Sequence, residues 1–483
     1  MNSILNDKKK DIIAYLVAVI FIAANLILVI KEFYWFSLLP VALLIIWVYI
    51  YSLDKVFLFI ALLTPLSINL RDFSIGIGVS LPTEPLLAGI ALLFILKMAY
   101  KNQYDLKVSI HPISLAIIAN LLWILITALT SELPVVSIKF FIARLWFVIP
   151  CFFFGAILFK NKKNISLFLW FYIVGFIAVI IYTLINHAML GFDGKAAHWV
   201  MKPFFNNHTD YGCALALFIP VIVGFSFNKK INKDLRFLSF MVFLIFFTAL
   251  IFSFCRAAWT SLIVALCLYL IIRFNIKFRW IFLAALIFGG FFYLMQNDII
   301  YKMKKNKQDS SAKLMEHVRS ISNVSTDASN VERLNRWKCA YKMFKERPVL
   351  GWGPGTYQFL YAPYQLYRDK NIGSTNAGNL GNAHSEYIGP LSDSGVLGSL
   401  TFIIIVVLVL YRGLMVYKKS RDYEVRVLSL SLVLGLITYF VHGFLNNYLD
   451  SDKLAIPFWS FIAMIVALDV FHLPKEKSSN LPA

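Results

Sequence analysis

The chain has 483 residues, 59% of them hydrophobic and only 15% charged, and it carries a formal net charge of +20. No water-soluble core hides this much apolar surface, so the composition excludes a soluble globular enzyme and predicts lipid as the solvent. The positive charge falls in clusters between alternate apolar runs, a placement that argues against nucleic acid as its partner.

Apolar runs near twenty residues recur from end to end, and a helix satisfies its own backbone hydrogen bonds in hydrocarbon, so these runs predict spanning helices. A closed barrel would alternate instead. The first run, 12–30, follows Lys8, Lys9 and Lys10 in the manner of a signal peptide. It is too long and lacks a small-residue cleavage site, so an uncleaved span is expected. Further spans are predicted near 33–53, 56–70, 82–100, 112–130, 142–159, 165–185, 211–227, 237–254, 257–272, 280–295, 394–411, 427–445 and 454–471. The run 56–70 is short and contains Pro65, and 131–139 has the character of an interfacial helix, so the expected count is twelve to fourteen.

Every second loop is basic: Lys97, Lys101 and Lys107; Lys160, Lys162 and Lys163; Lys229, Lys230, Lys233 and Arg236; Arg273, Lys277 and Arg279; Lys418, Lys419, Arg421 and Arg426. The positive-inside rule puts these loops and both termini in the cytoplasm. Three regions result: an N-terminal bundle of about eleven spans over 1–295, a large periplasmic loop over 296–392, and C-terminal spans with a short cytoplasmic tail over 393–483. Loops longer than about sixty residues escape the positive-inside bias, so Lys302, Lys304, Lys305 and Lys307 fit an outer loop, where they suit lipid headgroups.

Within that loop, Val331 to Arg347 places Leu334, Trp337, Tyr341 and Phe344 at helical spacing, an amphipathic helix ended by Pro348 and Gly351. Gly351 to Gly355 reads Gly-Trp-Gly-Pro-Gly, a turn. Tyr357, Tyr361, Tyr364 and Tyr367 follow, with rings that suit a membrane interface or the face of a sugar.

Six of the eight histidines, His187, His198, His208, His317, His384 and His442, map to the outer side. None has zinc-ligand spacing, and Asp450 with Asp452 forms a DxD pattern that reads as an ordinary polar loop, so no metal site is expected. The phosphate cradles of nucleotide-binding proteins are missing too, which leaves ATP and dinucleotides without a motif and implies no cofactor. The five cysteines are too dispersed for a disulfide framework. His384, beside Glu386 at the outer edge of a new apolar run, has the pKa range of a general base, though a lone histidine there is more often a capping or interface residue. Arg256, wedged between apolar runs, is costly unless paired or snorkelling. Arg333 opens the amphipathic helix with a guanidinium fork that fits phosphate oxygens.

These places carry a likeness. Arg333-Leu334-Asn335-Arg336-Trp337, then Arg347 to Gly355, then Asn382-Ala383-His384-Ser385 and Gly395-Val396-Leu397-Gly398 resemble the O-antigen ligase and polymerase superfamily. The likeness extends to Ser253-Phe254-Cys255-Arg256, where members usually have a Ser-Arg pair; Cys255 replaces that serine. Asn206 to Gly212 occupies a family segment rich in Asn and small residues. The resemblance covers about 200–471. It implies an all-α, GT-C-like integral membrane glycosyltransferase that moves a polysaccharide from undecaprenyl diphosphate to a lipid A-core hydroxyl at the periplasmic face of the bacterial inner membrane, without metal. The alternatives are a polymerase on the same carrier and, from another class, a transporter. By likeness, Arg256 and Arg333 hold the diphosphate and His384 activates the acceptor hydroxyl, with Glu386, Asn382, Arg336 and His208 in support. Membrane lipids are the remaining partners.

The alternation of basic loops makes a direct prediction. Reporter fusions after Asn306 and after Ser420 should report opposite sides of the membrane; the same side for both would mean that the spans between them are miscounted.

Overall fold

The computed structural model describes residues 2–32, 51–70, 78–101, 105–277, 328–365 and 381–474, with isolated positions among 36–49 and at 279 and 290. Most of the expected span 33–53, the span 280–295, the lysines at 302–307, His317 and Tyr367 lie outside the described residues. Met1–Val56 forms one compact unit and Phe57–Ala483 another.

The first unit holds α1 (Asn2–Ile30), whose apolar part runs over Tyr15–Ile30. Phe21 stacks on Phe36 at 5.3 Å and the Ser37 hydroxyl donates to Asn25 Oδ1 at 2.9 Å.

From Leu53 onward, the expected span 56–70 is replaced by a short helix and a hairpin. α2 (Leu53–Leu63) has 11 residues, about half of what a bilayer crossing needs. Pro65 disfavours helical geometry at Thr64 and has no N–H to continue the ladder. The chain turns there and pairs β1 (Ile68–Asn69) antiparallel with β2 (Ser80–Leu81), Ile68 opposite Leu81.

The rest is helical. Among the described residues ten helices are long and apolar enough to cross a membrane, and the protein is an all-α, multi-pass membrane protein. They are α3 (Thr83–Lys101), α4 (Pro112–Leu129), α5 (Pro134–Val148, continuing to Leu158), α6 (Lys162–Met189), α7 (His208–Phe227), α8 (Lys233–Phe252), α9 (Arg256–Arg273), then α11 (Gly389–Lys419), α12 (Tyr423–His442) and α13 (Asp452–His472). Between α9 and α11 lies α10 (Ala328–Glu346). The segment 131–139, expected as interfacial, belongs mostly to α5: Pro134 opens the helix, and a π turn at Ile149–Phe154, where Pro150 removes a donor, carries it on.

α7, α12 and α13 form the centre and are apolar on every side, as a helix surrounded by other helices must be. α8 and α9 are far more exposed. In lipid there is little hydrophobic drive between helices, so close approach of small residues has to hold them. Gly435 of α12 meets the Leu217 carbonyl of α7, where a Cβ would sit 2.5 Å from the oxygen, and Gly224 of α7 faces Ser431.

The Gly-Trp-Gly-Pro-Gly turn locks the loop region onto this bundle. Gly351, Gly353 and Gly355 all have positive φ, and side chains at the first two would collide with Asp393 and Ser131. The turn then pairs with the start of α11, which is itself broken at Gly395 (φ 69°): Trp352 N–H donates to Ser392 O at 3.0 Å, Gly353 N–H to Asp393 O at 2.8 Å, and Val396 N–H to Pro348 O at 2.9 Å. Asp393 accepts from Gly355 N and Tyr357 N, each at 3.0 Å. Ser137 Oγ of α5 donates to Pro354 O at 2.9 Å.

Gly353→Ala should therefore cost about 2 kcal/mol or more, from strained backbone and overlap together. Gly191, with φ 65° but open space around its Cα, supplies the control, and Gly191→Ala should lose only about 1 kcal/mol. Thermal unfolding of the two purified variants checks the difference.

Candidate functional site

The tight connection from α8 to α9 fixes Arg256. Phe254 takes a positive φ of 51°, Ser253 Oγ donates to Leu250 O at 2.7 Å and accepts from Cys255 N, and α9 starts at once with Arg256. Cys255, where the resemblance leads one to expect a serine, is buried against α7, and Gly212 makes room for it: a Cβ there would stand 2.7 Å from the Cys255 Cβ. The thiol fills a packing site.

α10 presents a different face from the expected one. Its buried side carries Glu332, Asn335, Arg336, Cys339, Ala340 and Met343, and the last three pack with Tyr357, Tyr361 and Ala383. Leu334 and Tyr341, on the apolar stripe of the amphipathic spacing, are exposed. The polar residues are tolerated inside because their partners come with them. Arg336 Nε donates to Glu332 at 2.8 Å, its Nη1 to Asn382 O at 3.0 Å, and its plane lies 5.3 Å from the Tyr361 ring. Gly381 must lack a side chain to leave the guanidinium that space.

This brace sets the segment that bears His384. Asn382 Oδ1 accepts from His384 N at 3.1 Å and His384 takes φ 49°, an Asx-type turn. Two residues on, Glu386 does not serve as the histidine's partner. Its Oε1 accepts from Tyr439 OH at 2.8 Å, Tyr448 N at 2.9 Å and Leu449 N at 3.0 Å, while its own N–H donates to Gly443 O. Burial pushes the Glu386 carboxyl up in pKa, opposed by Arg144 and these donors. Glu386 thus holds the 443–450 loop in place, and that loop delivers Asn446 to Arg333 Nη2 at 3.5 Å.

The result is a partly buried, positively charged corner. Arg256 and Arg333 are within electrostatic reach of each other, Arg333 reaches His384, His442 and Tyr448, and Arg256 reaches His198. Burial lowers the Arg333 pKa without neutralising it, since a guanidinium stays charged in proteins. Burial first, then Arg336 and Arg333, drives the His384 imidazole down to about 3, so it is neutral over the physiological range. The same causes lower His198, burial ahead of Arg256.

Of the residues singled out in the sequence, Arg256, Arg333 and His384 come together, with Arg336 and Asn382 as their scaffold. His208 opens α7 with its ring 4.0 Å from that of His198, one step behind Arg256. Asp450 and Asp452 part company: Asp450 pairs with Arg144 at 3.3 Å, and Asp452 is buried, accepting from Thr83 at 2.6 Å. No group of three His, Cys, Asp or Glu that could hold a metal occurs among the described residues. Sequence reasoning passed over Asn446, Tyr448 and, as a site residue, His442, which is wholly buried with neither ring nitrogen hydrogen-bonded. The pair Asn446-Asn447 between two apolar runs was the available signal.

The membrane bundle thus brings two arginines and a neutral histidine together. Residues 241–403 match the model of the O-antigen ligase family, a stretch that includes Arg256, Arg333, Asn382 and His384. No curated protein matches the chain.

Arg336→Met keeps the stem but removes both hydrogen bonds of the brace. The 381–386 segment should then loosen, exposing Ala383 and raising limited proteolysis near Gly381 several-fold, with the helical circular dichroism unchanged. Equal proteolysis of both proteins would show that Tyr361 packing alone holds the segment.

Proposed function

We propose that this protein is an O-antigen ligase-type glycosyltransferase that moves a polysaccharide from undecaprenyl diphosphate to a sugar hydroxyl of the lipid A core, at the periplasmic face of the inner membrane. The observation that carries this reading is the pairing of two closely placed arginines with a neutral imidazole.

The chemistry follows from the charges. A glycosyl diphosphate needs its departing phosphate oxygen stabilised as the anomeric C–O bond breaks, and fixed cationic donors in a dry site do this. Arg256 and Arg333 would take the diphosphate, with Asn446 steadying Arg333. His384 would remove the proton of the acceptor hydroxyl as its oxygen bonds to the anomeric carbon, while the bonding electrons leave with the phosphate. An imidazole with a pKa near 3 is a feeble base, and the depressing charges are those of Arg336 and Arg333 besides burial. A bound diphosphate offsets them. Donor binding thus raises the basicity of His384 toward the range where proton transfer is efficient.

Loss of the base and loss of the clamp should be distinguishable. His384→Ala should cut turnover about a hundredfold to ten-thousandfold with donor affinity retained. Arg256→Ala and Arg333→Ala should weaken donor binding as well, and lysine should rescue only in part for want of the fork. Normal turnover in His384→Ala would remove the base from the mechanism.

pH profiles test the coupling. With His384 depressed in the free protein, the acid limb of kcat/KM that reports it should lie well below the acid limb of kcat, which reports the donor complex. His384→Ala should abolish the limb in kcat. Coincident limbs in the native protein would mean that the donor does not relieve the arginines.

A further inference from the structure

α10 is tied at both of its ends to the same end of the helix bundle. Near its start Arg333 meets Asn446, in the loop after α12, at 3.5 Å; past its close Arg347 pairs with Glu132, just beyond α4, at 2.8 Å, and Pro348 O accepts from Val396 N of α11 at 2.9 Å. Its 19 residues are about 28 Å long. The helix therefore lies across that end of the bundle.

The protein buries only one side of it. Glu332, Asn335, Arg336, Cys339, Ala340 and Met343 face inward, whereas Leu334, Trp337, Tyr341 and Phe344 recur in steps of three and four along another side. Of that stripe Leu334 is 40% exposed and Tyr341 53%, and Trp337 leans on Phe444, which is itself exposed. Beyond the helix Val349 is 58% exposed, next to exposed Leu350. These two continue a surface whose solvent is known. Val396, Leu397, Leu400 and Ile403 begin the exposed apolar stripe of α11, a helix long and apolar enough to span the membrane, and Val396 is the residue bonded to Pro348. Lipid against Val396 thus reaches Val349. The charges fit the same surroundings: the acids of α10 are engaged elsewhere, Glu332 by Arg336 and Glu346 by the Tyr364 hydroxyl, while Lys338 and Lys345 edge the open stripe, the Lys345 ammonium 4.8 Å from the Tyr341 ring centre. Apolar and aromatic side chains edged by lysines match the boundary between acyl chains and headgroup phosphates.

We propose that α10 and the 348–350 turn rest in the membrane leaflet at that end of the bundle, with Leu334, Tyr341, Val349 and Leu350 among the acyl chains and Lys338 and Lys345 on headgroup phosphates. The lipid seat does not depend on the reaction proposed above. Arg333 stands at the edge of the same stripe, so the seat holds its guanidinium at the depth of lipid phosphates.

Power-saturation electron paramagnetic resonance on the full chain, in nanodiscs of phosphatidylethanolamine and phosphatidylglycerol, tests this. A nitroxide label is attached through Leu334→Cys, Tyr341→Cys or Val349→Cys, each combined with Cys267→Ser because Cys267 is the exposed native cysteine among the described residues. Arg421→Cys, exposed in the turn between α11 and α12, is the water-facing reference. Oxygen concentrates in lipid and a nickel chelate stays in water, so the ratio of their collisions reports what surrounds the label. The ratio at 341 and 349 should exceed that at 421 about threefold or more, as for side chains at an acyl boundary. A ratio equal to the reference puts the stripe in water and overturns the seat. Loss of collisions with both probes means that protein covers the face, a second copy of the chain included, and overturns it as well. Should Tyr341→Cys fail to fold by thermal unfolding, Leu334→Cys and Val349→Cys decide. Lys338→Glu combined with Lys345→Glu should lower the ratio at 349 about twofold, because carboxylates are repelled by phosphates; an unchanged ratio overturns the phosphate contacts.

Discussion

A buried ammonium group organises the bundle. Lys453, in the first turn of α13 and only 5% exposed, donates to Thr64 O at 2.7 Å, to Ser67 O at 2.6 Å and to the Ser67 hydroxyl, with Pro65 O at 3.4 Å. The Ser67 hydroxyl donates a hydrogen bond to Asp452, which also accepts from Thr83. An ion of this kind is tolerable away from water only when each of its protons has a partner. The partners here are carbonyls of the turn that Pro65 imposes after α2, among them Thr64 O, which also accepts from Ser67 N–H. The broken segment supplies oxygens, the central helix supplies the cation, and leaving either without the other would cost about 3–5 kcal/mol.

Through this network the start of α13 is held against the hairpin and α3, and Tyr172 of α6 adds a hydrogen bond to the Lys453 carbonyl at 2.6 Å. The loop before α13 then has one fixed end. Glu386 fixes its middle and the end of α12 its beginning, so Asn446 and Tyr448 are placed by three anchors of different chemistry: an ion, a carboxylate and a helix terminus. Arg333 meets a surface that is already set. The glycine-rich turn does the same for α10 by tying Trp352 and Gly353 to the backbone of α11.

Much of this was legible in the residues. Periodicity and length located the spans that the structure describes from α3 to α9 and from α11 to α13, because apolar content alone decides helix in lipid. Gly351, Gly353 and Gly355 announced a turn, and the short motifs around Arg256, Arg333 and His384 marked places that are close in space. What failed shares one cause. The helical spacing of Leu334, Trp337, Tyr341 and Phe344 points to an apolar inner face, yet Leu334 and Tyr341 are exposed and Arg336 and Glu332 are inside because each brings a partner, and sequence spacing does not reveal partners 46 residues away such as the Asn382 carbonyl. The same blindness hid Lys453, a charge one residue before the last predicted span, and the 443–450 loop, whose role depends on Glu386 reaching it across the fold. The helix break at Pro65 was visible; that it would be met by a lysine almost four hundred residues later was not.

The corner formed by Arg256 and Arg333 has a kinetic corollary. On the proposed reading, the lipid diphosphate leaves the reaction with more charge exposed than it had as a glycosyl ester, because the oxygen that bore the sugar becomes a free phosphate oxygen. Two guanidinium groups in a partly dry recess hold that spent carrier more firmly than they held the loaded one. Turnover would then be paced by departure of the carrier, and free undecaprenyl diphosphate would act as a competitive brake on the protein, so that the rate of glycan transfer follows how quickly the surrounding membrane clears its used lipid.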